Sequence, residues 1–191
     1  LFGELENGAQ VYKYTLTNEH GISASFTDLG GIWLEMKTFD RNGKIDDVLL
    51  GYDSVDTCLH EGGHLGEIVG RNANRIGGAT FNINEMTYEL VINSGTKNNM
   101  NSGPDYYRDR LWDAELEETR PSTKITYALF SPVGDQNYPG NAQIAVSYPL
   151  TPDDSVKIDY QMTADEDTIA NFTNHAYFNL RGHKSGTIED Q

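Results

Sequence analysis

The sequence predicts an all-β protein built as a large antiparallel β-sandwich. Short segments rich in Val, Ile, Thr, Tyr and Phe recur along the chain, and turn-forming residues separate them. No long stretch places apolar residues at helical spacing, and the chain lacks the regular strand–helix alternation that a parallel sheet needs. We therefore expect a single sandwich domain over residues 1–191.

Six segments give the strongest strand predictions because β-branched and aromatic residues dominate them. The last of the six is the clearest, since every second residue is apolar, as in a strand with one buried and one wet face. Turn signals such as Asn42-Gly43 and Gly77-Gly78 lie between the segments. In chain order the predicted strands are Val11–Thr17, Ile32–Thr38, Met86–Ile92, Lys124–Phe130, Gln143–Tyr148 and Val156–Met162.

Two polar, glycine-bearing regions, Asp56–Gly63 and Asn93–Arg110, are predicted to be irregular loops. Loops of this length in a compact β domain commonly have a functional role. We therefore expect ligand-contacting residues in or near them.

Composition excludes several classes of function. The chain has 191 residues, of which 37% are apolar, enough for a substantial core. A formal charge of −15 opposes nucleic-acid binding, which depends on Lys and Arg clusters. We expect no membrane partner, because no run of 18 apolar residues occurs. Cys58 is the single cysteine, so no internal disulfide forms, which favours a cytoplasmic location.

The segment Asn171–Leu180 places one histidine, His175, between two asparagines in a β-prone aromatic stretch. Imidazole titrates near neutral pH, so such a histidine suits proton transfer, and the neighbouring amides suit binding of a hydroxylated ligand. The alternative is a core histidine that a backbone carbonyl satisfies. A second signal is needed to favour the functional interpretation.

That signal is Gly70-Arg-Asn-Ala-Asn-Arg-Ile76, which a strand-like Thr80–Ile83 follows. Together the two segments resemble the aldose 1-epimerases, also called galactose mutarotases. The resemblance covers nearly the whole chain in collinear order. Further matching segments are Asp40–Lys44, Asp47–Asp53, Leu111-Trp112, Ser131-Pro132, Tyr138–Gly140 and Val146–Leu150.

The resemblance implies a galactose mutarotase-like supersandwich that interconverts the α and β anomers of hexoses such as galactose or glucose without a metal or other cofactor. It implies that His175 is the acid that protonates the ring oxygen, and that Asn74 and Arg75 contact the substrate. We expect Arg71 to be a further substrate-site residue that supports the loop. The alternatives are a turn-forming role for Asn74 and an ion pair for Arg75.

Two departures from the family pattern matter. Asn101 stands where the resembled family carries a second histidine, and an amide cannot titrate, although it can still bind a sugar hydroxyl. The general-base glutamate that the resemblance implies is expected to follow Gln191, so we expect a chain that is truncated relative to the family. For both reasons we expect residues 1–191 alone to be poorly active or inactive. Unpaired strand edges would then recruit a second copy, as a homodimer, or a missing C-terminal half.

Three other interpretations stay open. A catalytically impaired carbohydrate-binding homologue on the same fold would keep the hydroxyl contacts without proton transfer. A truncated chain without function would fail to unfold cooperatively. The third is a zinc site at His60-Glu-Gly-Gly-His64, which matches H-E-x-x-H, but the paired glycines disfavour the helix that this motif needs.

Overall fold

The computed structural model describes residues 1–119 and 122–189, and it confirms the all-β prediction. The strands are short and antiparallel, and one α-helix, α1, spans Val55–His60 in the described residues. In chain order the strands are β1 (Gly3–Glu4), β2 (Gln10–Val11), β3 (Lys13–Thr17), β4 (Ser23–Thr27), β5 (Trp33–Phe39), β6 (Ile45–Asp47), β7 (Leu49–Leu50), β8 (Ile68–Val69), β9 (Arg75–Ile76), β10 (Thr80–Ile83), β11 (Met86–Glu89), β12 (Asn99–Met100), β13 (Asp113–Thr119), β14 (Ser122–Ser131), β15 (Ala142–Leu150), β16 (Asp159–Ala164), β17 (Thr173–Asn174) and β18 (Tyr177–Phe178).

Two four-stranded sheets form the sandwich, one in the order β3-β4-β5-β6 and the other in the order β13-β14-β15-β16. Their facing side chains share one apolar core, in which the rings of Phe26 and Tyr148 approach to 4.5 Å between centroids. Along β15 buried residues alternate with more exposed ones, so Ile144, Val146 and Tyr148 all face the core. The predicted sandwich is therefore present.

The fourth strand of the second sheet starts later than the sequence predicts. The prediction covered Val156–Met162, whereas β16 begins at Asp159, and Val156 forms only an isolated bridge with Leu150. The alternation is nevertheless real, because the apolar residues of the segment pack against the core. Side-chain period identified the buried face, but it did not locate the start of the backbone ladder.

The prediction of an irregular Asp56–Gly63 was wrong, because α1 occupies most of it. Ser54 caps this helix: its hydroxyl accepts from the Thr57 N–H, and the Thr57 hydroxyl accepts from the Ser54 N–H. This reciprocal capping satisfies backbone donors at the helix start. Val55 and Cys58 are buried, so the helix packs against the apolar cluster beside the first sheet.

Short two-stranded pairs outside the main sheets position the candidate site. β8 pairs with β17, and β9 pairs with β12, both antiparallel. Within the part of the chain that the structure describes, no helix has the length and apolar character needed to cross a membrane.

Candidate active site

His175 directly follows β17, and its backbone is bonded to a neighbouring segment. The His175 N–H donates to the Glu67 carbonyl at 3.0 Å, and the His175 carbonyl accepts from the Gly66 N–H at 2.9 Å. The imidazole is half-buried and lies beside the rings of His64 and Tyr177, at 5.7 and 5.2 Å between centroids. The backbone of His175 is thus held in place, while its ring is partly open to solvent.

The two asparagines before His175 fasten chain segments to one another. Asn174 Nδ2 donates to the Gly66 carbonyl at 2.8 Å and to the buried Tyr148 hydroxyl at 3.2 Å. Asn171 Nδ2 donates to Asn72 Oδ1 at 3.1 Å. These amides hold the histidine segment against the arginine-containing segment.

Asn74 and Asn101 bind each other directly. The Asn74 N–H donates to Asn101 Oδ1 at 2.8 Å, and the Asn101 N–H donates to the Asn74 carbonyl at 3.0 Å. Both residues have positive φ, 66° and 53°, which asparagine adopts more readily than most residues. Asn101 is buried, whereas Asn74 is exposed. The buried Asn101 amide therefore stabilises the turn that places Asn74 on the surface.

Arg75 follows this turn on β9 and is exposed. Its Nε donates to the Ser94 hydroxyl at 3.1 Å. A guanidinium offers five N–H donors, so one such bond leaves capacity for further acceptors.

Arg71 is fully buried, unlike Arg75. Its guanidinium donates to the carbonyls of Ser131, Pro139 and Gly140 at 2.9, 2.6 and 2.9 Å, and to the Ser131 hydroxyl. These contacts suit the loop-supporting role more than direct contact with a sugar.

An ion pair continues this buried network. Asp135 accepts from both terminal nitrogens of Arg110 at 2.7 Å and from the Ser131 hydroxyl. Burial alone would raise the pKa of Asp135, but the hydrogen bonds from Arg110 and Ser131 lower it overall. Asp135 is therefore held as a carboxylate next to the group that Arg71 binds.

One segment, residues 66–75, joins the residues that the sequence singled out. His175 is bonded to its first residues, Asn171 pairs with Asn72 in its middle, and Asn101 is bonded to Asn74 near its end. The buried Arg71 anchors the segment through its bonds to the carbonyls of Ser131, Pro139 and Gly140. The structure thus brings the two motifs together along a single stretch of chain.

Sequence reasoning missed one charged cluster next to His175. His64 Nδ1 lies 2.8 Å from Glu67 Oε1, and the second Glu67 oxygen lies 3.8 Å from Arg108. The Glu67 side chain is only 3% exposed. The His64 ring also lies 5.3 Å from the Tyr106 ring, between centroids.

The signal for His64 was present but suggested a different chemistry, zinc binding. α1 ends at His60, and Glu61 is already extended, so His60 and His64 do not share a helical face. No group of three or more metal-ligating side chains comes together within residues 1–119 and 122–189. His64 instead turns towards Glu67 and His175.

The fold and the site define a β-sandwich protein with a histidine-centred surface site. Comparisons with known proteins identify the family to which the chain belongs. The family model for aldose 1-epimerase matches residues 12–191. The chain belongs to the aldose 1-epimerase family.

Two relatives illustrate the match. An aldose 1-epimerase from Haemophilus influenzae is 39% identical over 181 residues, which covers 95% of this chain and 51% of the relative. A galactose mutarotase from Bos taurus is 33% identical over 191 residues, covering 100% of this chain and 54% of the relative. The chain spans about half the length of the curated relatives it matches.

Solved structures resemble the fold closely. A GalM/aldose epimerase homologue from C. elegans has a TM-score of 0.81 at 28% identity, covering 90% of this chain and 51% of that one. A galactose 1-epimerase from Lactobacillus acidophilus NCFM has a TM-score of 0.83 at 24% identity, covering 94% and 52%. The second likeness bears on the fold alone.

Proposed function

We propose that this chain is an aldose 1-epimerase that interconverts the α and β anomers of a hexose such as galactose or glucose. Family membership supports the reaction class. The observation that carries the proposal is the half-buried His175, bonded through its backbone to the segment that ends in Asn74 and Arg75. The fold thereby connects His175, the proposed acid, to Asn74 and Arg75, which can bind sugar hydroxyls.

The reaction needs two proton transfers. In ring opening the C1 hydroxyl loses a proton to a base, the bond between C1 and the ring oxygen breaks, and His175 gives a proton to that oxygen. Rotation of the aldehyde and reversal of these transfers produce the other anomer. General acid–base help of this kind is typically worth about 10²–10⁴-fold.

The neighbouring residues would bind hydroxyls. The exposed Asn74 amide and the unused donors of Arg75 suit sugar oxygens, because guanidinium donors form a fixed fork. Asn101 would contribute mainly by stabilising the turn at Asn74. Arg71 would contribute by anchoring residues 66–75 to the carbonyls that it binds in the protein interior.

Asn101 is the specific observation behind a second candidate, a carbohydrate-binding homologue without catalysis. An amide at the position of a family histidine leaves hydroxyl contacts in place and removes one titratable group. Sugar binding without turnover would identify this case.

Polarimetry of freshly dissolved α-D-galactose or α-D-glucose distinguishes the aldose 1-epimerase from the carbohydrate-binding homologue. In a form of the protein that accelerates mutarotation over buffer, we expect His175→Ala to lower kcat at least about 100-fold, since the acid is lost. His20→Ala is the control, because His20 is exposed and contacts Asp154 elsewhere on the surface. Full activity of His175→Ala would contradict the assignment of the acid.

We also propose a cytoplasmic location. Cys58 is buried in the helix, and burial raises the pKa of its thiol to about 12, so it stays protonated and unreactive. A fold that contains a single thiol and no disulfide suits a reducing compartment.

A further inference from the structure

Ser94 lies in a short loop, residues 93–98, beside the arginine that is proposed to bind sugar hydroxyls. Its hydroxyl accepts a hydrogen bond from Arg75 Nε at 3.1 Å. In the described part of the chain, Nε is the one side-chain nitrogen of Arg75 that bonds to a protein acceptor. This bond therefore determines which donors of the guanidinium are left for a ligand.

We infer that Ser94 is a positioning residue for Arg75, because its hydroxyl holds the guanidinium with both terminal nitrogens turned towards the sugar. This inference rests on the proposed function. It adds to that function a residue outside the sugar contacts and a feature of the substrate, a pair of hydroxyls on neighbouring ring carbons.

The choice of nitrogens follows from the shape of the guanidinium. Two oxygens can bind it side by side in two ways, either at Nε and one terminal nitrogen or at both terminal nitrogens. The single proton of Nε is used by Ser94, so the terminal pair remains. Hydroxyl oxygens on neighbouring carbons of a hexose lie close together unless both are axial, so such a pair can share the two nitrogens.

Backbone bonds hold Ser94 in place. The Ser94 N–H donates to the Asn98 carbonyl at 3.0 Å, and the Asn98 N–H donates to the Ser94 carbonyl at 3.2 Å. Between them Gly95 has a φ of 62°, a conformation that glycine adopts without steric cost. The loop is thus closed on itself, and the Ser94 hydroxyl is ordered before any ligand binds.

The same loop is fastened to the strand that pairs with Arg75. Asn93 Oδ1 accepts from the Met100 N–H at 2.6 Å, and Asn93 Nδ2 donates to the Met100 carbonyl at 2.9 Å. Met100 is the register partner of Arg75 in the pairing of β12 with β9. One strand pair therefore positions both the hydroxyl and the guanidinium.

The expected benefit is entropic and modest. An exposed arginine loses side-chain freedom when it binds a ligand, and this loss reduces affinity. The bond to Ser94 restricts the outer torsion angles of Arg75 in advance, so part of the loss no longer accompanies binding. A single neutral acceptor at the surface contributes little, so we expect an effect of about threefold on KM.

The test is a double-mutant cycle on the KM for galactose, measured by polarimetry in a form of the protein that accelerates mutarotation. We expect Ser94→Ala to raise KM about threefold with kcat and the urea midpoint unchanged, and Arg75→Met to raise it about tenfold. The double variant should also show a rise of about tenfold, because Ser94 acts through Arg75. A role in supporting the loop alone would multiply the two effects to about thirtyfold.

Two control variants accompany the cycle. Ser94→Thr keeps a hydroxyl acceptor for Nε, so it should keep the wild-type KM. Ser147→Ala is the matched control, because the Ser147 hydroxyl is also half-buried and bonds to the Thr126 hydroxyl at 2.9 Å on the outer face of the second sheet. It should change neither KM nor kcat.

Two outcomes would overturn this inference alone. One is an unchanged KM in Ser94→Ala, and the other is a further rise of about threefold when Ser94→Ala is added to Arg75→Met. If the protein binds galactose without turnover, the dissociation constant from calorimetry replaces KM in the same cycle. A protein that neither binds galactose nor accelerates mutarotation would overturn the inference together with the proposed function.

Discussion

Arg71 and Arg75 lie four positions apart in one segment, and their surroundings are opposite. Arg71 is fully buried, and its donors are used by the Ser131 hydroxyl and the carbonyls around it. Arg75 is exposed and donates to the Ser94 hydroxyl. A short turn through Asn74, with φ of 66°, separates the two environments.

The difference shows how one motif can serve both fold and function. A buried guanidinium that satisfies several carbonyls belongs to the structure, since its removal leaves those acceptors unpaired. An exposed guanidinium with spare donors can bind a ligand at small cost to stability. We therefore expect substitutions at the two positions to separate stability from affinity.

The largest effect is expected for Arg71→Met. The variant keeps much of the side-chain volume but leaves the carbonyls of Ser131, Pro139 and Gly140 without their donor, so we expect the free energy of unfolding to fall by about 4 kcal/mol. Urea denaturation measures this directly. The free energy of unfolding of Arg71→Lys should lie between those of Arg71→Met and the wild type, because one ammonium can reach only some of these acceptors.

A loss below about 0.5 kcal/mol in Arg71→Met would contradict the structural role. In that case the buried contacts would contribute little. The contrast with Arg75 would then have to be explained by sugar binding alone.

A smaller effect is expected at Asp135, which extends the Arg71 network through Ser131. Its pKa is lowered from the ordinary value of 3.8, since hydrogen bonds from Arg110 and Ser131 outweigh burial. A lowered native-state pKa gives stability that is present above 3.8 and is lost as the pH falls below it. Asp135→Asn should therefore cost about 2 kcal/mol at pH 7.

The urea midpoint from pH 7 down to pH 2 checks this prediction. The wild type and Asp135→Asn should converge as the pH drops, since protonation and substitution remove the same charge. Other carboxylates lose their contribution in both proteins, so the difference isolates Asp135. If the urea midpoints of the two proteins differed by the same amount at every pH, the charge of Asp135 would not stabilise the fold.

Much of the sandwich was predictable because strand patterns are local. In β15 the alternation of Ile144 and Val146 with more exposed neighbours identifies both the strand and its buried face. The helix α1 was missed because its six residues are too few to show a helical period. Its cap, formed by Ser54 and Thr57, is a local signal of the helix start.

The candidate site was predictable only in part. His175 and Arg75 lie in recognisable motifs. The pairing of His64 with Glu67 could not be predicted in the same way, because it belongs to the site only through the fold, which places His64 beside His175. More than a hundred residues separate His64 from His175 in sequence. Likewise, nothing local distinguishes a buried Arg71 from an exposed Arg75. The atoms that accept from Arg71 are distant in sequence: they belong to the last residue of β14, to the loop that follows it and to Thr168.

The smallest energetic effect is expected for Arg75→Met, and it sharpens the comparison most. Stability should stay within about 0.5 kcal/mol of the wild type, because the residue is exposed. If Arg75 binds a sugar hydroxyl, loss of one charged hydrogen bond of about 1.5 kcal/mol should raise KM for galactose or glucose about tenfold, with kcat nearly unchanged. Arg41→Met, at an exposed arginine of the Asp40–Lys44 turn, should change neither quantity. An unchanged KM would remove Arg75 from the binding surface, and a large loss of stability would make it a second structural arginine.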